Sequence, residues 1–293
     1  MYVGFEIDSN SICGIKVDKI EYYKNLALSN HNHHKTIIEK KIKESFVFKS
    51  DGVIEVKPIE DTWFPNINCH IFLSHSHYDE NIALFLAGFL KEKCDVDVFV
   101  DSCIWSYSND LLKIIDEHYC KTRFGHYDYN LRNITTTHVH LILNMALTKM
   151  INCTECFMFM KTNNSIYNNK DVFIKRTESA WICDELLIAS IIARRSKEVH
   201  RKEFRVEHSF SINESYQEFP KFIYDLSFMD LKSLTCDQLL EIAISFNEEY
   251  YGDGDISRAE RFLDLLYKEM HEYYSLPDNF INWSQQREIF INR

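Results

Sequence analysis

From residue 69 onward the chain alternates short, wholly apolar runs with polar strings and amphipathic stripes, an order that predicts strands followed by helices. Cys69-His-Ile-Phe-Leu-Ser74 reads as a buried strand that ends in the polar string Ser74-His-Ser-His-Tyr-Asp-Glu80. Ile82, Phe85, Leu86, Phe89 and Leu90 then fall at i, i+3, i+4, i+7 and i+8, the stripe of a helix laid on a sheet. Val96 to Val100 predicts a second strand, and Cys156-Phe-Met-Phe-Met160 a third, continuous enough to be buried on both faces. Between them, Ser102 to Ser108 show no period until Leu111-Leu112 and Ile114-Ile115 begin a helix, residues 119–137 read as a polar loop or insertion, and Val139, Ile142, Leu143, Ala146, Leu147 and Met150 restore a helical stripe. A helix is predicted over residues 179–193, with Ile182, Leu186, Ala189 and Ala193 facing the sheet and Trp181, Glu185 and Ile188 beside them. Short strands are expected at 204–206 and 222–224.

The alternation of strand and helix implies an α/β fold with a parallel sheet and right-handed crossovers. Residues 1–68 lack this regularity and read as an N-terminal extension, 69–228 as the main domain, and 229–293 as a C-terminal helical region. In the last part, Thr235-Cys-Asp-Gln238 and Ser257-Arg-Ala-Glu260 both match capping boxes that open amphipathic helices. This helical pair must bury its apolar faces on the main domain or on a second copy.

Composition narrows the function classes. The 293 residues carry a net charge of −11, and the densest basic stretches, near 40–43 and 194–202, are interleaved with Glu, so nucleic acid is not an expected partner. Nine cysteines, an odd number with the single CxxC spacing Cys153–Cys156 rather than the two paired ones of a zinc site, suit reduced thiols in a cytoplasmic setting. No apolar stretch approaches the ~20 residues that span a bilayer, so no membrane partner is expected. Glycine-rich phosphate loops are absent. His31, His33 and His34 read as a polar turn rather than a metal tract, Asp253 and Asp255 as a helix-joining turn, and no metal is expected.

In an open parallel sheet the loops at the carboxyl ends of the strands converge on a crevice, which should gather residues 74–80 and 101–108. Ile71-Phe-Leu-Ser-His-Ser-His-Tyr-Asp79, Val98-Phe-Val-Asp101 and Ser179-Ala-Trp-Ile-Cys-Asp-Glu185 together resemble, in order, the three sequence boxes of bacterial TIR (Toll/interleukin-1 receptor) domains, and are similar to those of the TIR component of Thoeris-like antiphage systems. The resemblance covers roughly residues 69–226. It implies a flavodoxin-like fold with a five-stranded parallel sheet and cleavage of NAD, as substrate, to nicotinamide and an ADP-ribose product that is sometimes cyclised.

The resemblance also implies that Glu185, four residues after the box tryptophan Trp181, is catalytic, and that the protein assembles with copies of itself and makes a nucleotide signal for a downstream effector or depletes NAD. One carboxylate suits this chemistry. Losing nicotinamide builds oxocarbenium character on the ribose, while the neutral pyridine leaves without a proton. Around it, Trp105 either stacks on a base or packs in the core, and Trp181 either touches the substrate or packs beside the carboxylate and positions it. Ser74, His75 and Asp79 contact ribose or phosphate, or else Ser76 and Asp79 cap the next helix, and Asp101 carries the same ambiguity. The second box lacks the Pro-Gly pair of receptor TIR domains, against adaptor signalling. A catalytically silent scaffold and a nucleoside deoxyribosyltransferase-like enzyme are the alternatives.

Overall fold

The computed structural model describes residues 1–9, 20–28, 69–100, 102–167, 175–203, 224–226, 231–246 and 256–274. Five parallel strands form the central sheet: β1 (Val3–Asp8), β2 (Ile71–Ser74), β3 (Val98–Val100), β4 (Cys156–Lys161) and β7 (Lys232–Thr235), in the spatial order β3-β2-β4-β1-β7. A separate antiparallel pair joins β5 (Arg176–Thr177) to β6 (Tyr224–Asp225). β4 is buried along its apolar run because it pairs on both edges and is covered on both faces, which is what an unbroken Cys-Phe-Met-Phe-Met string requires.

The helices are α1 (20–28), α2 (Glu80–Cys94), α3 (Ser102–Ile115), α4 (Tyr129–Cys153), α5 (Ala180–Ile191), α6 (Lys197–Glu203), α7 (Cys236–Ser245) and α8 (Arg258–Tyr274). They fall into two packed groups. α2 meets α7 and α8 and receives the Tyr23 ring of α1 against Phe85 and Phe89, whereas α4 packs against α3 and α5. The C-terminal helices thus dock on the main body: Cys94 donates to the Ala243 carbonyl, and Phe246 lies edge-on to Phe262. Both expected capping boxes form, Thr235 with Gln238 and Ser257 with Glu260. All-parallel strands with helices in two groups make this an α/β architecture compatible with a flavodoxin-like sheet; counted from β2 it follows the usual 2-1-3-4-5 order except that the N-terminal β1 takes the fourth place.

The largest departure concerns the N-terminus. Residues 1–8, expected in an extension, supply β1 at the fourth position of the sheet, paired residue for residue with β4 from Val3↔Cys156 to Asp8↔Lys161 and with β7 on its other edge. The boundary at 68/69 therefore does not divide the sheet. Gly4 and Glu6 break the apolar pattern of Val-Gly-Phe-Glu-Ile-Asp, but Glu6 is neutralised in place by lysines, so the strand can be buried. The fifth strand is Lys232–Thr235, inside the region expected to be purely helical, while Tyr224–Asp225 belongs to the small antiparallel pair. Residues 204–206 and 222–223, expected in strands, lie outside the described residues.

Two helices start earlier than their apolar stripes. α3 begins at Ser102, and α4 at Tyr129 behind Asp128, whose carboxylate accepts from Leu131 N. The first ten residues of α4 mostly face water, which hides their helical period, although all six apolar residues expected from Val139 to Met150 are buried.

Close approach fixes α1. A Cβ on Gly88 of α2 would stand 1.9 Å from the Tyr23 carbonyl oxygen, so only glycine admits the α1 backbone there. Gly88→Ala adds helix propensity but must push α1 off Phe85 and Phe89; a net loss of about 1–3 kcal/mol is expected from a urea midpoint. A stabilised variant contradicts this contact.

The amino-terminal end of the strands is sensitive to acid. Burial pushes His70 down to about 3 and His200 to about 4, and His70 Nδ1 accepts from Asp97 N at 3.0 Å, a bond that protonation destroys. Both imidazoles are neutral in the fold, while the unfolded chain takes up its protons near pH 6.5, so stability is full above pH 6.5 and is lost as pH falls toward 4 and below. Between pH 7.5 and pH 5 each histidine removes on the order of 2 kcal/mol. Glu155 and Asp184, whose carboxyls burial pushes up, act in the opposite sense, above the ordinary carboxylate range. A urea midpoint unchanged between pH 7.5 and pH 5 contradicts the prediction.

Candidate functional site

In a doubly wound sheet the crevice opens where the chain reverses its direction of travel, between strands whose crossovers leave on opposite sides. Here that point lies between the carboxyl ends of β2 and β4. β2 feeds β3 at the edge, and the chain then returns across the sheet to β4.

Ser74 closes β2, opposite Phe159 in register, and is wholly buried with no hydrogen-bond partner for its hydroxyl among the described residues. A hydroxyl left so costs free energy, which a ligand acceptor or donor at the strand end would recover. His75 follows, also buried, with Nδ1 3.4 Å from the Leu73 carbonyl oxygen. Ser76 and Asp79 occupy cap positions of the short 3-10 turn His77–Asp79 and of α2, yet neither side chain makes a capping bond.

Asp79 instead reaches across the crevice. Its carboxylate accepts from Thr162 Oγ1 at 2.5 Å and from Asn164 Nδ2 at 2.8 Å, in the loop that leaves β4. Thr162 Oγ1 in turn accepts from the amides of Asn164 and Ser165, and Ser165 Oγ accepts from Thr162 N at 2.8 Å. The turn is therefore folded on itself and tied to the first loop. Asp79 is spent on this tie, and Thr162, Asn164 and Ser165 are site-wall residues that the sequence reading passed over as a polar connection. The string Thr-Asn-Asn-Ser directly after a buried strand is the signal that marks them.

Glu185 and Trp181 share α5, which starts at the N-cap Ser179, whose Oγ accepts from Ile182 N. The Trp181 ring is 5.4 Å from that of His140 on α4, and Asn144 of α4 donates to Asp184, so α5 is clamped to α4 along one side. Glu185 is 0% exposed, on the inward face with Ile182, Leu186 and Ala189 rather than beside it, whereas α5 ends at Ile191 and Ala193, expected on the inward stripe, is exposed. A carboxylate in such surroundings is screened little, and its attraction for a developing positive charge is far stronger than in water.

A second charged group lies one strand further on. Glu6, in the middle of β1 and 5% exposed, is bridged by Lys161 Nζ at 3.4 Å and by Lys175 Nζ at 2.5 Å, and Lys161 also stands 3.8 Å from Asp8.

The remaining expected residues are placed as follows. Asp101 lies outside the described residues, as do His31, His33, His34, Asp253 and Asp255. Trp105 lies in the helical backbone of α3. The structure thus gathers Ser74, His75 and Asp79 at the switch point, and Trp181 with Glu185 on the helix that follows the β4 loop. Among the described residues no cluster of His, Cys, Asp or Glu has the makings of a metal site, the seven cysteines with described side chains are free thiols, and no helix is long and apolar enough to cross a membrane. No protein-family model matches the chain, and neither a curated protein nor a solved structure matches it.

Proposed function

We propose that this chain is a TIR-type enzyme that cleaves the bond between nicotinamide and ribose in NAD, with Glu185 as the catalytic carboxylate. The observation that carries the reading is the complete withdrawal of the Glu185 carboxyl from water on α5. Support comes from the three boxes falling on β2, on β3 and on α5, around a five-stranded parallel sheet. The role follows from electrostatics: as the glycosidic bond lengthens, positive charge grows on the ribose, and a low-dielectric carboxylate stabilises the transition state more than the ground state. Ser74 supplies a hydroxyl at the switch point for a polar group of the substrate, and Trp181 holds α5 against α4.

A side chain with no exposed surface meets a dinucleotide only after its cover shifts, and packing of one copy against another is the expected trigger. The product is linear or cyclised ADP-ribose, serving antiphage defence as a signal to an effector or through loss of NAD. Incubation of concentrated protein with NAD, followed by chromatography, should show NAD lost in step with nicotinamide gained, and mass spectrometry of the remainder gives the product's form.

The same burial favours, as a second reading, a silent scaffold in which Glu185 serves packing alone. NAD that stays intact under assembled conditions would establish that reading in place of the first.

A further inference from the structure

Glu6 presents a physical puzzle. It is an acid in the interior of a central strand, flanked by Phe5 and Ile7, both buried, and a buried ion pair seldom stabilises a fold more than well-packed apolar side chains of similar volume would. Its partners explain what it does instead. Lys175, whose side chain is 46% exposed, leads directly into β5. There the Lys175 carbonyl accepts from Leu226 N, the Arg176 carbonyl accepts from Tyr167 N at 2.7 Å, Thr177 Oγ1 accepts from Ser179 N at 3.1 Å, and Ser179 caps α5. An unbroken path of contacts therefore runs from the N-terminal strand to the first turn of the helix that carries Glu185. Lys161, the other partner of Glu6, ends β4 and leads into the Thr162–Ser165 turn, so one buried carboxylate holds the lysines that begin both this turn and the β5 segment leading into α5.

We propose that Glu6 is a positioning residue. Through Lys175 it fixes the entry of α5 and so the placement of Glu185, which makes residues 1–8 part of the functional unit. The proposal rests on the reading of Glu185 as the catalytic carboxylate. A positional error of about an ångström at a reacting centre slows turnover by up to a hundredfold, on the order of tenfold or more being expected here, without loosening substrate binding.

The test separates positioning from stability. In the paired variant Glu6→Met with Lys175→Met the thermal midpoint should equal or exceed that of the parent, while kcat for nicotinamide release falls about tenfold or more and KM stays within about twofold. Parental turnover in that variant overturns the proposal. Lys175→Met alone, at a half-exposed position, and Glu6→Gln provide the second measurement: amide hydrogen exchange over residues 180–187 should quicken relative to residues 139–150 of α4. Unchanged exchange in both overturns the proposal even if the paired variant does not fold. If the parent releases no nicotinamide, the catalytic reading alone falls, and the exchange rates decide whether Glu6 positions α5.

Discussion

Glu185→Gln is expected to lower kcat for nicotinamide release by about a hundred- to a thousandfold, with KM nearly unchanged, because it removes a full charge from a site that acts mainly in the transition state. The amide has the same shape and keeps hydrogen-bonding capacity, so packing around the wholly buried position persists and the loss is electrostatic. The thermal midpoint should hold or rise, since an uncharged group is easier to bury than a carboxylate. A variant with unchanged fold and unchanged turnover would move catalysis to another residue. A fall in stability with turnover intact would make Glu185 a packing residue.

The second large effect concerns the end of the sheet away from the crevice. Arg201→Met should cost about 3–5 kcal/mol of stability. Arg201 of α6 donates to both oxygens of Glu155, at 3.1 and 3.0 Å, and to both oxygens of Asp264 on α8, while Tyr267 donates to Glu155 at 3.2 Å. The Glu155 side chain is 4% exposed at the entrance to β4, and burial already pushes its carboxyl up. Removing the guanidinium leaves that charge in the interior with a phenol for company, whereas Asp264, a third exposed, can be rehydrated. The deficit should shrink as pH falls toward the carboxylate range and Glu155 takes up a proton, and Glu155→Met added to Arg201→Met should recover most of the loss. A single variant within about 1 kcal/mol of the parent at pH 7.5 contradicts this view of how α6 and α8 are fastened to the sheet.

What the sequence revealed, and what it hid, follows from where each segment hides its polar atoms. β2 and β4 could be read because their side chains are apolar on both faces, and α2 because its inward stripe repeats with the helical period. β1 was hidden because the partners that make Glu6 tolerable, Lys161 and Lys175, are more than 150 residues away in the chain. β7, four residues with the pattern Lys-Ser-Leu-Thr, buries only Leu234 deeply and has no period to show. The start of α4 lacked a stripe because it projects into water.

The site divides in the same way. Glu185 was found through the third box and Ser74 as the end of an apolar run. The role of Asp79 was not legible, since capping and ligand contact both suit an aspartate at a helix start, and only the fold brings Thr162 and Asn164 to it.

A buried carboxylate on α5 is proposed to break the nicotinamide bond. The most direct measurement is a pair of progress curves for nicotinamide released from NAD, with parent and Glu185→Gln at equal, high protein concentration. Steady release by the parent with a flat trace for the variant is the predicted result. Matching traces, whether both rising or both flat, contradict it.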